Sequence, residues 1–494
     1  MTPILLIHGY SAESPQTDHD SIRNIYGSLA DDLKASYPVV DINLSRYVSL
    51  NDSVSILDIA RALDRVLNQE YPELLRSGFN PIIHSTGALV VRNWIKLFSP
   101  KPSPIRNLIH LAGANFGSGW AIIGEGQVAR WGRFVFEHGA QRGFKVLQAL
   151  EFGSSQTLDV HLHFIEHGNR MLEDYLVQEY ILVGTQADPE WFTIPVRYAK
   201  EDGSDGTVRV SGSNLNFNYL NIVPAPDTYT LRWTDIQSAL SKANSKQPFP
   251  EFYKIAQISQ PFFDRPEIPF AIPYQCAHTG DKYGIVSGSE TKAQVQRLIK
   301  TALAVPERST TQWSAVVDLF HKETETSYDL ARRTLGPSLF NFLVDQRNQY
   351  DAHAQVIFRL RDQDGQSIPI DNADIFFVSN QQLPETTPIQ QLIEDVVVSD
   401  VSRNVITFYL RTNRFDKNKN DWVYLLDSVQ NFALEITAIE PLTPNRNPSV
   451  TYVPLRIPLS TENLVRLIQP HRTTVIDVQL VRVPSPDIYM IVRT

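Results

Sequence analysis

The sequence predicts an α/β fold with a mainly parallel sheet, followed by a β-sandwich-like C-terminal part. Three observations carry this. Short apolar runs alternate with amphipathic, helix-spaced runs over the first 110 residues. That regularity stops after Gly113 and gives way to stretches rich in glycine and aromatic residues. From about Tyr350 the chain becomes a series of short alternating runs separated by turn sequences.

The elements follow in order. Ile4 to Ile7 reads as a short strand. Ser21 to Lys34 carries Ile22, Ile25, Leu29 and Leu33 at helical spacing, with Asp20 or Ser21 as N-cap. Pro38 to Leu44 reads as a strand. Val54 to Leu75 reads as one long amphipathic helix with Ile56, Ile59, Ala60, Leu63 and Leu67 on one side. A strand to Ile83, a helix from Ala88 to Leu97 and a strand from Leu108 to Leu111 complete the pattern. Tyr180 to Gly184 returns to strand, and Thr291–Leu303 and Trp313–Leu335 are helix-like. The expected organisation is a first domain over residues 1–305 with cap insertions at about 114–175 and 214–270. A helical connector over 306–349 and a sandwich-like accessory domain over 350–494 follow.

Composition narrows the function classes. A chain of 494 residues exceeds one ordinary domain. Its net charge of −9 argues against nucleic acid or anionic membrane as the main partner. Cys276 is the one cysteine, so no intrachain disulfide forms. No basic and apolar leader follows Met1, so the expectation is synthesis in the cytoplasm or export by a route that reads no N-terminal signal. No run reaches the roughly 18 apolar residues of a membrane span. No phosphate-cradling glycine loop is present, and no cofactor is expected.

The chemistry centres on Pro81-Ile-Ile-His-Ser-Thr-Gly-Ala-Leu-Val90. It lays strand, sharp turn and helix in direct succession, with Ser85 at the apex, the layout of a nucleophile elbow. One departure stands out. The pattern G-x-S-x-G has glycine where this chain has Ile83, and a β-branched residue crowds a tight turn. The plain alternative is a buried strand–helix junction that happens to contain serine. The strand at Ile4 ends in His8-Gly9-Tyr10-Ser11. The turn after such a strand and the residue after the nucleophile each offer an oxyanion N–H, which points to Tyr10 and Thr86.

With both motifs in view, the chain resembles the α/β-hydrolase lipases and esterases, of the lecithin:cholesterol acyltransferase-like and bacterial lipase type. Leu111-Ala-Gly-Ala-Asn-Phe-Gly-Ser118, Leu150-Glu-Phe-Gly-Ser-Ser155 and Ser204-Asp-Gly-Thr-Val208 resemble three further runs of those enzymes. The resemblance covers roughly residues 1–305. It implies an acid after the elbow and a histidine after the acid. The Asp-Gly-x-Val context favours Asp205, with Asp202 and Asp188 as alternatives. His278, His321, His353 and His471 follow Asp205. His321 falls in a helix-like run and the last two in the β-rich part, which leaves His278 in its loop as the base.

The expected function is a serine hydrolase of lipid-like carboxylic esters. A phospholipase, even a membrane-directed toxin, an acyltransferase and a thioesterase would use the same residues. A non-catalytic binding scaffold is the rival, and Ile83 is its best support. Asp159, His161, His163 and His167 suggest a metal site, but only His163 and His167 share a helix face, so none is expected. Asp362 and Asp364 lack a full calcium ligand set and read as a hairpin turn. The aromatic residues of the insertions suit an acyl site, a lid or ordinary core. The β-rich part is a candidate surface for lipid or a protein partner.

Overall fold

The structure is a computed structural model of the whole chain. It describes residues 1–7, 26–42, 44, 53–119, 144–186, 201–242, 251–306, 310–337, 345–379, 389–428, 432–440, 450–459 and 466–484. The chain divides into two compact units. The first comprises Met1–Asn216, Pro261–Ala352 and Phe415–Trp422.

Six strands form the sheet of the first unit: β1 (Ile4–Ile7), β2 (Val39–Ile42), β3 (Asn80–His84), β4 (Asn107–Leu111), β5 (Gln178–Leu182) and β6 (Phe270–Ala271). Their order is β2-β1-β3-β4-β5-β6 and every pairing is parallel. Every residue of β1, β3, β4 and β5 is buried. That explains their near-continuous apolar runs, since a parallel sheet is covered on both faces.

Among the described residues of this unit the longer helices are α1 (Ser28–Lys34), α2 (Ile56–Gln69), α3 (Gly87–Phe98), α4 (Ser155–His163), α5 (Lys292–Leu303) and α6 (Thr310–Thr334). A capping box starts α2: Ser55 Oγ accepts the Asp58 N–H at 3.3 Å, and Asp58 Oδ2 accepts the Ser55 N–H at 3.0 Å. The helix buries Ile56, Ile59, Leu63 and Leu67, each contributing about 1.5–3 kcal/mol of apolar transfer energy. The single helix expected over 54–75 is two. α2 ends at Gln69 and a short helix begins at Pro72, whose missing N–H suits a first turn but not a helix interior. The expected N-cap residues of α1 lie outside the described residues.

The stretch expected as a connector, 306–349, instead packs within the first unit. On α6, Trp313 and Phe320 lie 5.5 and 6.0 Å from the ring of Tyr180 on β5. The Trp313 indole donates to the Glu267 carbonyl oxygen at 2.9 Å.

The second unit comprises Phe217–Gln260, His353–Arg414 and Val423–Thr494. Its larger sheet has the order Ile393–Val398, Val405–Arg411, His353–Asp362, Thr473–Leu480, Asn218–Pro224, Tyr253–Ser259. The pairings of Thr473–Leu480 are parallel and the others antiparallel. A second, antiparallel sheet joins Ala373–Ser379, Phe432–Ala438 and Leu455–Leu459. One core lies between the sheets, where the rings of Phe358, Phe377 and Phe408 sit 5.5 to 5.9 Å apart. The chain thus combines an α/β-hydrolase-like sheet with a β-rich, sandwich-like unit.

One boundary differs from expectation. Most of the stretch 214–270 lies outside the first unit: Phe217–Gln260 belongs to the second. Asn218–Ile222 pairs residue for residue with Thr474–Val478. Alternation along a sequence reveals a strand but not its partner, and this partner lies far along the chain.

Candidate active site

Ser85 occupies the turn between β3 and α3. Its N–H donates to the Leu111 carbonyl oxygen at 3.1 Å, which extends the β3–β4 pairing by one residue. Its φ of 54° is a left-handed conformation that a side-chain-bearing residue seldom adopts. This tips the half-buried side chain off the strand axis, and its carbonyl oxygen accepts the N–H groups of Ala88 and Ala114, each at 3.2 Å. Ile83 stays in regular register opposite Ile7 and His110 and is fully buried. The turn is therefore made at Ser85 itself, with the bulky residue inside the ladder.

Thr86 is the N-cap residue of α3. Among the described residues its N–H has no acceptor. The amino end of α3 thus adds a partial positive field at the serine. Tyr10 and His8 lie outside the described residues.

Asp205 is held by its own loop. Oδ1 accepts the N–H groups of Thr207 at 3.0 Å and Val208 at 2.8 Å. Oδ2 faces His278 Nδ1 at 2.9 Å, and the Asp205 carbonyl oxygen accepts the His278 N–H at 3.1 Å. A carboxylate can only accept, so Nδ1 carries the imidazole proton and Nε2 is left as the basic nitrogen. Asp205 is 1% exposed and His278 5%, which strengthens their interaction by excluding water. Gly206, at φ 91°, makes the turn after the acid. Across the loop, Arg209 makes a two-pronged bond to Glu201 at 2.9 and 2.7 Å and lies 4.1 Å from the Phe152 ring centroid. Asp202 is only half-buried, and Asp188 lies outside the described residues.

His278 sits on a loop fixed at several points. The Gln275 N–H donates to Tyr350 Oη at 2.9 Å, and Ala277 exchanges backbone bonds with Tyr283 and Ile285. An added Cβ at Gly184 would meet the Cys276 carbonyl oxygen at 1.8 Å, so glycine is required where β5 ends. The Cys276 thiol is buried, and burial pushes its pKa well up, with the Asp205 charge adding to the effect. It is an inert packing group. His84, the residue before the serine, donates from Nε2 to the His278 carbonyl oxygen at 3.2 Å.

The other histidines go elsewhere. His321, on α6, meets Glu267 at 3.3 Å, and His353 and His471 belong to the second unit. The suggested metal residues diverge. His161 bonds the Asn115 carbonyl oxygen at 2.5 Å, while His163 approaches Tyr175 Oη at 3.4 Å. Among the described residues no three His, Cys, Asp or Glu side chains are grouped as metal ligands. Asp362 accepts the N–H groups of Asp364 and Gln366 at 2.9 and 2.8 Å, a turn with Gly365 at φ 80°. Sequence reasoning picked out the run Leu111–Ser118 but missed His84 and Gly184 as neighbours of the candidate site. For His84 the adjacency to Ser85 was the available signal.

A six-stranded parallel sheet with left-handed Ser85 after β3, Asp205 on a loop after β5 and His278 on a loop after β6 is the α/β-hydrolase fold. No protein-family model matches this chain, and no curated protein matches it in sequence. Solved structures do match. Phospholipase PlaB from Legionella pneumophila is similar over 100% of this chain and 96% of its own, at 20% identity and a TM-score of 0.78. The same phospholipase in complex with thio-NAD matches 100% of this chain and 97% of its own, at 20% identity and a TM-score of 0.76. At this identity the likeness shows the fold, here including the β-rich unit.

Proposed function

We propose that this chain hydrolyses carboxylic esters of lipids through Ser85, His278 and Asp205. The observation that carries the reading is the 2.9 Å pairing of His278 Nδ1 with the buried Asp205 carboxylate, on loops of the same unit as the left-handed Ser85. In this reading His278 Nε2 takes the Ser85 hydroxyl proton as Oγ attacks the ester carbonyl. The same proton passes to the departing alcohol, and water activated by His278 then releases the acyl group. Asp205 holds the imidazole in its tautomer and stabilises the imidazolium. The Thr86 N–H, with no acceptor among the described residues, suits the oxyanion, and the Tyr10 N–H is the proposed second donor.

Among lipid esters, the full-length likeness to a phospholipase favours a phospholipid substrate. The β-rich unit is then the candidate for contact with a lipid surface or a protein partner. The test is a panel of phospholipids and simple esters, with fluorophosphonate labelling of the intact protein. Wild type should be labelled at Ser85, and Ser85→Ala should lose roughly ten-thousandfold in rate while remaining folded. Absence of labelling would overturn the enzyme reading in favour of a binding scaffold. Activity confined to short-chain esters would overturn the lipid assignment alone.

A further inference from the structure

We propose that His84 is a positioning residue for His278, an inference that rests on the reading of His278 as the base. His84 closes β3 and is 5% exposed. Its Nε2–H donates to the His278 carbonyl oxygen at 3.2 Å, and the two imidazole rings lie 4.7 Å apart with their planes at 42°. A carbonyl oxygen only accepts, so this bond assigns the His84 proton to Nε2.

The contact supplies something the acid loop does not. Asp205 holds His278 at two points, the ring Nδ1 and the backbone N–H. Both tie the histidine to Asp205, and neither joins it directly to the strand and turn that carry the serine. His84 is covalently joined to Ser85, so its bond to the His278 carbonyl registers the base directly against the elbow. Its tilted ring also bounds the space in which the His278 imidazole can swing. A displacement of about 1 Å between nucleophile and base lowers rates by roughly a hundredfold, so such a clamp acts on the chemical step.

The test uses the full chain with two substitutions. His84→Phe keeps a flat ring but removes the donor. His84→Gln keeps an amide N–H at nearly the reach of Nε2. Steady-state kcat and KM on an ester, the rate of fluorophosphonate labelling and thermal unfolding are measured for each. His84→Phe is expected to lower kcat and labelling rate by roughly 10- to 100-fold with KM nearly unchanged. His84→Gln should restore most of that loss. Should His84→Phe fail to fold, His84→Ala, which adds no bulk, carries the same expectation. An active wild type whose kcat is untouched by donor removal overturns the inference. So does equal loss in the donor-keeping and donor-lacking variants, which marks a purely structural role. A wild type that neither labels nor hydrolyses overturns the reading of the site, and this inference with it.

Discussion

Ser118 Oγ donates to the Thr207 carbonyl oxygen at 2.7 Å, and the Thr207 N–H donates in turn to Asp205 Oδ1 at 3.0 Å. The loop that carries Ser118 begins at the elbow, where the Ala114 N–H bonds the Ser85 carbonyl oxygen at 3.2 Å. Between these ends the Phe116 N–H bonds Gly212 and the Asn115 side chain bonds Ser213, at 2.8 and 2.7 Å. Residues 112–118 therefore strap the Ser85 turn to the Asp205 turn. Ser118→Ala should cost about 1 kcal/mol of stability, the worth of one hydrogen bond. It should lower kcat by about tenfold through the loosened acid. Urea unfolding and ester turnover measured together check this, and Ser118→Thr should keep both.

Gly184 is a steric prediction. Its missing side chain admits the Cys276 carbonyl at a distance no Cβ tolerates. Gly184→Ala must push the histidine loop away from β5, with a loss of about 2–4 kcal/mol and near-complete loss of turnover. Circular dichroism and activity separate the two effects. An alanine variant as active as wild type would contradict the observed path of the loop.

Beneath α3, Arg92 pairs with Glu179 on β5, and His110 on β4 bonds the same carboxylate oxygen at 3.1 Å. All three are nearly inaccessible. Burial alone would raise the Glu179 pKa, but the adjoining Arg92 and His110 hold it below the usual carboxylate range. Glu179→Ala should cost about 3–5 kcal/mol, because it leaves the guanidinium buried without its counter-charge. The double variant Arg92→Met/Glu179→Leu should cost far less. Chemical denaturation of the two variants distinguishes them.

Acid should destabilise both units. Burial lowers the pKa of His110, even though Glu179 pulls the other way. It lowers that of His161 further, with Arg92 adding to the effect. In the second unit, burial and then the nearby His353 bring His471 down to about 3. A depressed histidine binds its proton in the unfolded chain before the folded one. Stability is therefore full above the unfolded value near 6.5 and is lost as pH falls toward each folded value. The slope is about 1.4 kcal/mol per pH unit for each such histidine. Denaturation midpoints from pH 7.5 to 5 should fall on the acid side, and His471→Phe should flatten the part due to that residue.

The candidate site residues that are legible in sequence are those signalled locally. Ser85 stood between a strand and a helix, Asp205 among turn glycines, and His278 was left by its place in the chain. The part His84 plays is not legible locally, because its partner is 194 residues away. Gly184 looked like the end of a strand, and only the crossing of Cys276 shows what it permits. The stretch 214–270 reads from its Pro and aromatic content as an insertion of the first unit, yet Phe217–Gln260 carries two strands of the second unit's larger sheet. Phe415–Trp422 likewise belongs to the first unit, where Trp422 packs 4.9 Å from Tyr328. In each case pairing across a long separation, not local propensity, decided the outcome.

The strands at Asn218–Pro224 and Tyr253–Ser259 have a consequence for the order in which this protein is made. They lie between Asp205 and His278, so the ribosome delivers them midway through the first unit. Their neighbour Thr473–Leu480 emerges some 250 residues later, as the 256-residue span from Asn218 to Thr474 shows. Until then the nascent chain carries an open strand edge, a template for pairing with other chains. A chain stopped at residue 350 would keep that edge permanently. Truncation there should give an aggregating protein rather than a smaller soluble unit, which light scattering of the truncated chain would show.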